Sequence, residues 1–407
     1  MKNATRPATW RSVKLGETLL KLGSGVTPRG GKESYVLDGV PLIRSQNVLW
    51  GKLSLRDVAF IPNKQHARML GSTVQPMDVL LNITGASIGR ACVVPLGTPE
   101  ANVNQHVCIL RPRQELSPQY LLAQLLSTDG QRQIDLFQAG GNREGLNYDQ
   151  IRSIKFSLPP LPEQRKIADI LSTWYQALET LEALIAAKDR QKQALMQQLL
   201  TGKTRVKGAK GKWKKVHMGD VLERVFRHID WHADLPLNLV SLRRRCGGLF
   251  RRPDVKGSEY KTQDLHEIRA GDFLISKRQV VHGAWGYVTP EFEGGHVSKE
   301  YAIFDNRASD KLHMPFFAWL AQTRRLIRLA RVSSTGVHIE KLIFDPNVFL
   351  RESIRIPATL DEQQQIAAIL DTADQEINLL RTQRASIDQQ KRGLMQRLLT
   401  GKLRVNA

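Results

Sequence analysis

The residues that most resemble a catalytic centre are the acids and the lysine between Pro253 and Lys261. Pro-Asp followed by Glu-x-Lys contains the letters of a metal-dependent nuclease core, in which two acids hold Mg²⁺. Such cores place the two acids on neighbouring strands, whereas only four residues, one of them a glycine, separate Asp254 from Glu259. We interpret the stretch as a turn, and a stand-alone nuclease built on Asp254, Glu259 and Lys261 is kept as an alternative function.

Two further patterns are candidates for binding a metal or a phosphate. His228 and His232 lie four residues apart, the spacing of a helical metal pair, but the sequence places no third ligand. The loop from Gly85 to Gly89 has only a lone pair of glycines, which is weak evidence for a phosphate-binding loop and is more typical of a β-turn. The chain lacks Gly-x-x-x-x-Gly-Lys-Ser/Thr and an Asn-Pro-Pro-aromatic element. We therefore expect no catalytic residue, no metal and no cofactor on this chain.

Charged and amide side chains on loops are the candidates for binding nucleic acid. Arg and Lys pair with guanine, Asn and Gln pair with adenine, and phosphate contacts position them. Four arginines on one predicted helix face, Arg324, Arg325, Arg328 and Arg331, are expected to contact phosphate. The candidate DNA-binding residues are Arg29, Lys32, Arg44, Ser45, Gln46, Asn47, Asn142 and Arg143 in the first half, and Arg243, Arg244, Arg245, Arg251, Arg252, Lys277, Arg278, His282 and Lys299 in the second.

The charge of the chain indicates a polyanionic partner. Its 407 residues include 60 Lys and Arg against 39 Asp and Glu, a net charge of +21. An excess of that size favours DNA or RNA, with an anionic membrane surface second. The basic run from Lys203 to Lys215 is read either as a solvated linker or as a phosphate-contacting arm.

Cysteine use and hydropathy predict a cytoplasmic protein. Cys92, Cys108 and Cys246 are odd in number and widely spaced, which fits reduced thiols. The sequence contains no run of 18 apolar residues, and its first residues have no apolar signal-peptide core. We expect no membrane segment.

One stretch of sequence occurs twice. Glu163-Gln-Arg-Lys-Ile-Ala opens a segment that closes with Leu-Leu-Thr-Gly-Lys-Thr-Arg-Val206, and Glu362-Gln-Gln-Gln-Ile-Ala opens one that closes with Leu-Leu-Thr-Gly-Lys-Leu-Arg-Val405. Neither copy contains proline, and both end at Thr-Gly, a helix stop signal. The copies predict two helices of roughly 38 residues, about 57 Å long at 1.5 Å per residue, in a duplicated architecture.

Each predicted helix carries the three-and-four spacing of a coiled-coil seam. A short linker after the first helix makes the second run back, so we expect an antiparallel pair. The expected register places Trp174 by Leu398 and Leu178 by Leu394, and it brings Lys188 near Arg384. The seam residues are Leu171, Trp174, Leu178, Leu181, Ile185, Leu195 and Leu199 in the first helix and Leu370, Ile377, Leu380, Ile387, Leu394 and Leu398 in the second.

The remaining sequence predicts two globular modules of one α+β fold. Residues 1–157 alternate short β-rich runs with Gly and Pro and include a predicted helix from Ser117 to Leu136. Residues 207–355 repeat that order in diverged form, with Gly271–Ile275 matching Met77–Leu81. The fold class is α+β, with two globular α/β domains separated by two long antiparallel coiled-coil helices in a pseudo-twofold repeat.

The order of these motifs resembles the specificity subunit of type I restriction-modification systems. The resemblance rests on the Gly85–Gly89 loop, Asn102-Val-Asn-Gln-His106, the proline-rich run before Glu163-Gln and the duplicated helix endings. The second copy departs from it, with Ile356-Pro-Ala-Thr-Leu-Asp-Glu-Gln363 in place of the full proline run. The resemblance covers the whole chain. It implies a target-recognition domain at 1–157, a conserved spacer helix at 158–206, a second recognition domain at 207–355 and a second spacer helix at 356–407.

The resemblance also implies a function and partners. Such a subunit reads a bipartite, asymmetric DNA sequence, one half per domain, and is not itself an enzyme. It docks two methyltransferase subunits, which methylate adenine with S-adenosylmethionine, and through them motor-nuclease subunits that use ATP and Mg²⁺. Helices of about 57 Å would separate the domains by about one and a half turns of duplex. A coiled-coil adaptor or RNA-binding protein is the second alternative.

Overall fold

The computed structural model describes residues 7–28, 30–138 and 145–406, apart from the side chains of residues 31, 32 and 340. Residue contacts group the chain into two units, Met1–Glu182 with Thr382–Ala407, and Ala183–Arg381. Each unit combines helices with short, mostly antiparallel sheets. No helix among the described residues is long and apolar enough to span a membrane.

The first half of the chain forms a four-stranded sheet in the order β2-β8-β5-β6, a three-stranded sheet β4-β3-β7 and the pair β1-β9. The strands are β1 Arg11–Lys14, β2 Leu19–Ser24, β3 Val40–Ile43, β4 Ala59–Ile61, β5 Val79–Asn82, β6 Ala91–Val93, β7 Asn102–Val103, β8 Val107–Pro112 and β9 Lys155–Leu158, and the helices are α1 Asn63–His66, α2 Pro118–Leu126, α3 Thr128–Gln138, α4 Tyr148–Ser153 and α5 Leu161–Leu199.

The central strand β5 begins with a continuous apolar run, Val79 to Leu81, because both faces of the sheet are covered there. Successive side chains of a strand point to opposite faces. Val79 and Leu81 of β5 accordingly join the core that includes Tyr120 of α2, whereas Leu80 joins a second core with Ile43 of β3. The continuous apolar run of β5 is thus a strand buried on two sides.

The second half repeats this plan with more strands. The sheet β11-β20-β17-β18 has the same order as β2-β8-β5-β6, and β10-β23 corresponds to β1-β9. The elements are β10 Lys214–His217, β11 Leu222–Val225, β12 Pro236–Leu237, β13 Val240–Leu242, β14 Leu249–Arg251, β15 Val255–Lys256, β16 Leu265–Ile268, β17 Phe273–Ser276, β18 Trp285–Tyr287, β19 Gly295–Ser298, β20 Tyr301–Asn306, β21 Ser334–Thr335, β22 Ile343–Phe344 and β23 Ser353–Ile356, with helices α6 Met314–Ala321, α7 Arg324–Val332, α8 Pro346–Arg351 and α9 Leu360–Leu399.

The single helix expected from Ser117 to Leu136 is wrong, since it is divided into α2 and α3 at Ser127. The Ser127 hydroxyl donates to the Gln124 carbonyl at 2.7 Å and accepts from the Gly130 N–H at 3.0 Å. A serine that bonds backbone on both sides ends one helix and begins the next.

The duplicated Glu-Gln pair anchors the start of each long helix. In the first unit the Gln164 amide accepts from the Ser117 N–H at 2.9 Å and donates to the Glu115 carbonyl at 2.9 Å. In the second unit Gln363 accepts from the His313 N–H at 2.9 Å. Both glutamines are fully buried. The two copies of the sequence therefore share glutamine at a position where its side chain completes buried backbone hydrogen bonds.

The glutamate of each pair binds a tryptophan and an arginine. Glu163 accepts from the Trp10 indole at 2.9 Å and from Arg404, which follows α9, at 2.6 and 3.0 Å. Glu362 accepts from Arg205, which follows α5, at 2.5 and 2.6 Å. The duplicated Thr-Gly-Lys-x-Arg ending therefore supplies the arginine of a forked ion pair. This contact removes Arg205 from the phosphate-contacting arm considered for residues 203–215.

Within each unit the segments of α5 and α9 run antiparallel. In the first unit Glu182 pairs with Arg384 at 2.6 Å, and the Lys391 ammonium lies 4.5 Å from the centre of the Tyr175 ring. In the second unit Asp189 pairs with Arg381 at 3.0 Å and Lys192 with Asp374 at 2.6 Å. In both, residue numbers rise along one segment as they fall along the other, which is the expected direction.

The predicted register of the seam is wrong. Pairing Trp174 with Leu398 would place Tyr175 opposite residue 397, whereas Lys391 lies there, a displacement of roughly one and a half turns. The predicted like-charge contact of Lys188 with Arg384 is also absent among the described residues. Lys188 pairs with Glu376 at 2.7 Å and Arg384 with Glu182. The predicted seam residues are still buried or half-buried in the observed register. Because more than one register buries the same apolar residues, the ion pairs between the helices select the register.

Candidate nucleic-acid interface

Three loops meet at one end of the four-stranded sheet in the first unit. They are residues 44–48 after β3, residues 83–90 after β5 and residues 104–106 before β8. The Asn82 amide donates to the Ser45 carbonyl at 2.9 Å, and Thr84 Oγ1 lies 2.5 Å from His106 Nδ1. The strand ends thus fix the loops to one another, which is how a rigid scaffold positions binding residues. We call these loops the first strand-end surface.

The first strand-end surface lines an open pocket of about 400 Å³. Gln46 is exposed, and Arg90 and His106 are half-buried. These side chains offer an amide, a guanidinium and an imidazole to a ligand, the groups that bind base edges and phosphate oxygens. The lining residues are Ser45, Gln46, Thr84, Gly85, Ala86, Ser87, Arg90 and His106.

Two of the residues predicted in the first half line this pocket, Ser45 and Gln46. Asn47, in contrast, is 1% exposed; its side chain accepts from the Arg44 N–H at 3.0 Å and donates to the Ser54 carbonyl at 3.0 Å. Asn47 therefore shapes the loop, and its assignment as a DNA contact is corrected. The Arg44 guanidinium lies 5.4 Å from the centre of the Tyr35 ring, away from the pocket lining.

Arg29, Asn142 and Arg143 lie outside the described residues, as does the side chain of Lys32.

The corresponding loops of the second unit are joined by backbone hydrogen bonds. Residues 243–248, 277–283 and 299–300 lie at the ends of β13, β17 and β20. The Arg245 N–H donates to the His282 carbonyl at 2.7 Å, and the Lys277 N–H donates to the Glu300 carbonyl at 2.9 Å. Arg245 and Cys246 both have φ above +50°, a strained conformation for non-glycine residues that often marks a binding loop. We call these loops the second strand-end surface.

This arrangement brings together most cations predicted in the second half. Arg244 and Arg245 are exposed, and Arg243 is held by the Leu249 carbonyl at 2.8 Å. Arg278 pairs with Glu300 at 2.5 Å while its side chain stays 63% exposed.

Lys277 differs from the other cations of the surface because it is half-buried. Its Nζ donates to the Lys299 carbonyl at 2.5 Å. Burial, followed by the charge of Arg224, lowers the pKa of Lys277. His282 shares this loop, and its carbonyl holds the arginine loop.

Arg251 and Arg252 do not belong to the second strand-end surface. They lie at the opposite end of the β13–β14 hairpin from residues 243–248. The Arg251 guanidinium donates to the Glu291 carbonyl at 2.5 Å, and Arg252 lies 5.6 Å from the centre of the Tyr260 ring. Their predicted grouping with Arg243–Arg245 is corrected, because a hairpin separates residues that are close in sequence.

The four arginines predicted on one helix lie on α7, and all are exposed while Leu326 and Ala330 are buried. Such a cationic face suits phosphate contact. The side chains concerned are Arg324, Arg325, Arg328 and Arg331.

The segment from Pro253 to Lys261, whose residue types resemble a nuclease core, contains a turn. Glu259 accepts from the Lys256 N–H at 2.9 Å within the single 3₁₀ turn Gly257–Glu259. Its carboxylate caps its own turn instead of facing Asp254 across two strands, so the geometry of a two-acid Mg²⁺ site is not formed.

Sequence reasoning missed Arg90 and His106. The β-rich run from Asn102 to Leu110 is interrupted at residues 104–106, where the Asn104 side chain accepts from the His106 N–H at 3.1 Å. A polar Asn-Gln-His triplet within an apolar run is the signal that predicts this break.

Residues 71–187 match the family model "Type I restriction modification DNA specificity domain". The chain resembles a type I restriction specificity subunit. A Methanocaldococcus jannaschii protein named for the MjaX specificity subunit is 23% identical over 423 residues, covering 98% of this chain and 95% of that protein. The EcoKI specificity subunit of Escherichia coli is 23% identical over 237 residues, covering 58% and 48%.

The fold is also that of a specificity subunit. The crystal structure of the type I restriction-modification S subunit from M. genitalium matches with a TM-score of 0.62 at 13% identity, covering 98% of each chain. At that identity the likeness establishes the fold. Specificity subunits are non-catalytic, and the catalytic activities belong to partner subunits.

Proposed function

We propose that this chain is the DNA sequence-recognition subunit of a type I restriction-modification complex. The observation that carries the proposal is the paired strand-end surface, one in each unit, on sheets of the same strand order. Two surfaces with different side chains on one scaffold suit a bipartite, asymmetric target in which each surface reads one half. The net charge of +21 supports a nucleic acid as the ligand.

The two surfaces offer different chemistry to DNA. The first presents Gln46, His106 and Arg90, a mixture of amide, imidazole and guanidinium. The second presents mainly cations, Arg244 and Arg278 among them. We infer that Gln46 reads a base edge, because glutamine pairs with adenine through two hydrogen bonds. The exposed arginines would read guanine or bind phosphate.

We assign residues 1–157 and 207–355 as the target-recognition domains and residues 158–206 and 356–407 as spacer helices. The buried Glu-Gln anchors at Glu163 and Glu362 support this division, because they fix each helix start to a recognition domain.

The catalytic partners supply the chemistry. We propose that two methyltransferase subunits dock along the spacer helices and bind S-adenosylmethionine, and that motor-nuclease subunits bring ATP and Mg²⁺. Such a complex would act in the cytoplasm, where the host DNA lies. The capping role of Glu259 weighs against the alternative of a nuclease within this chain.

Competition binding tests the proposal against an adaptor or RNA-binding role. The chain, assembled with its methyltransferase partner, is added to a labelled duplex library with structured RNA or unlabelled duplex as competitor. We expect enrichment of one bipartite sequence and weak competition by RNA. Equal affinity for all duplexes, or stronger competition by RNA, would contradict the proposal. Plasmid cleavage by the isolated chain with Mg²⁺ would favour the nuclease.

A further inference from the structure

Two histidines and an aspartate form a cluster in the second unit. His228 forms an antiparallel bridge with His266, so both imidazoles lie on the same face with their ring centres 4.3 Å apart. Asp264 precedes His266 by two residues and shares that face. The helical pair considered for His228 and His232 is wrong, because neither residue lies on a helix.

The spacing of the three side chains matches a metal site. Asp264 Oδ1 lies 3.4 Å from His266 Nε2 and 3.6 Å from His228 Nδ1. These distances exceed those of ordinary hydrogen bonds. A tetrahedral zinc ion with bonds of 2.0–2.2 Å separates its ligand atoms by about 3.3 Å. One ligand atom from each residue lies within 4.8 Å of the other two.

The Oδ1 atom of Asp264, which faces the two histidines, is available to a metal ion. Lys299 approaches the other oxygen, with its Nζ 3.6 Å from Asp264 Oδ2, so the histidines share Oδ1.

We propose that His228, Asp264 and His266 bind one divalent transition metal ion, with zinc the best match. Two imidazoles and one carboxylate form a borderline ligand set that suits zinc better than Mg²⁺ or Ca²⁺. His266 is 7% exposed and His228 is 67% exposed, so the fourth coordination position faces solvent. The ion would join β16 to the segment after β11 and stabilise the second unit.

Zinc titration of the full chain tests the site. Protein stripped with EDTA is titrated with Zn²⁺ by calorimetry, and Co²⁺ is added separately to record the visible absorption of a tetrahedral complex. His228→Ala and Asp264→Asn remove ligands that are partly exposed and leave the buried His266 in place. His232→Ala is the matched control, because His232 is exposed and outside the cluster.

We expect one tight equivalent of Zn²⁺ per chain and a Zn²⁺-dependent rise in Tm for the wild type and His232→Ala. Each ligand variant should bind more than about 100-fold more weakly, since losing an outer partner alone costs about 10- to 100-fold. Equal binding by wild type and His228→Ala, or no binding by either, would overturn the proposal and leave a cluster of solvated ion pairs.

Discussion

The cations of the second strand-end surface should control how strongly DNA affinity depends on salt. We consider the triple substitution Arg244→Ala, Arg278→Ala and Lys299→Ala. Arg278 and Lys299 are each 63% exposed, and Arg244 is exposed on the neighbouring loop. Their removal deletes three charges without uncovering the core.

The magnitude follows from counterion release. Each phosphate contact contributes about 0.9 to the slope of log K against log salt, so three contacts contribute about 2.7. Across a fourfold change in salt this amounts to about 40-fold in affinity. Glu300 and Asp264 already offset part of the charge of Arg278 and Lys299, so we expect the slope to fall by between about 1 and about 3.

Fluorescence anisotropy of a target duplex, at several salt concentrations and with the methyltransferase partner present, measures this slope. The matched control is Arg251→Ala with Arg252→Ala, which removes two cations at the other end of the β13–β14 hairpin. An unchanged slope in the triple variant, together with a reduced slope in the control, would refute the placement of the interface.

Three other predictions concern stability and assembly. Arg227→Ala should lower the free energy of unfolding by about 3 kcal/mol, because it leaves the buried Asp272 without the guanidinium that contacts it at 2.7 Å. Urea denaturation measures this loss of stability. Adding Asp272→Asn to the variant should recover part of the lost stability. Leu178→Asp with Leu394→Asp should abolish partner binding in pull-down assays while circular dichroism shows folded modules; surviving binding would exclude the helices as the dock. Burial raises the pKa of Asp388, but hydrogen bonds from two cations on its helix outweigh this and lower it, so its stabilisation is present above the unfolded pKa and lost as pH falls through the folded pKa. Tm against pH should show this acid loss in wild type and a smaller one in Asp388→Asn.

The sequence predicted features that depend on local pattern. The short β-rich runs follow from residue type and the duplicated helices from periodicity, and the structure contains both. The helix register could not be predicted, because the same apolar stripe is buried in more than one register. Ion pairs between residues far apart in sequence, such as Lys192 with Asp374, decide among them.

At the candidate site, too, the sequence predicted some features and could not predict others. Loop composition selected Gln46 and Arg244, which are exposed in the structure. It could not distinguish them from Asn47, whose side chain forms hydrogen bonds within its own loop. Proximity in sequence grouped Arg251 with Arg245, although a hairpin places them at opposite ends. Which side chains of a polar loop face solvent is set by backbone hydrogen bonds that residue types alone do not specify.

The most direct test of the central claim is the methylation motif written by the assembled complex in its host. Adenine methylation is mapped in cells carrying the wild-type chain, Gln46→Ala in the first strand-end surface, or Arg244→Ala in the second. We predict that each substitution relaxes or abolishes recognition in one half of a bipartite motif and leaves the other half unchanged. Changes spread over both halves from either substitution, or an unaltered motif in both variants, would contradict reading by two separate surfaces.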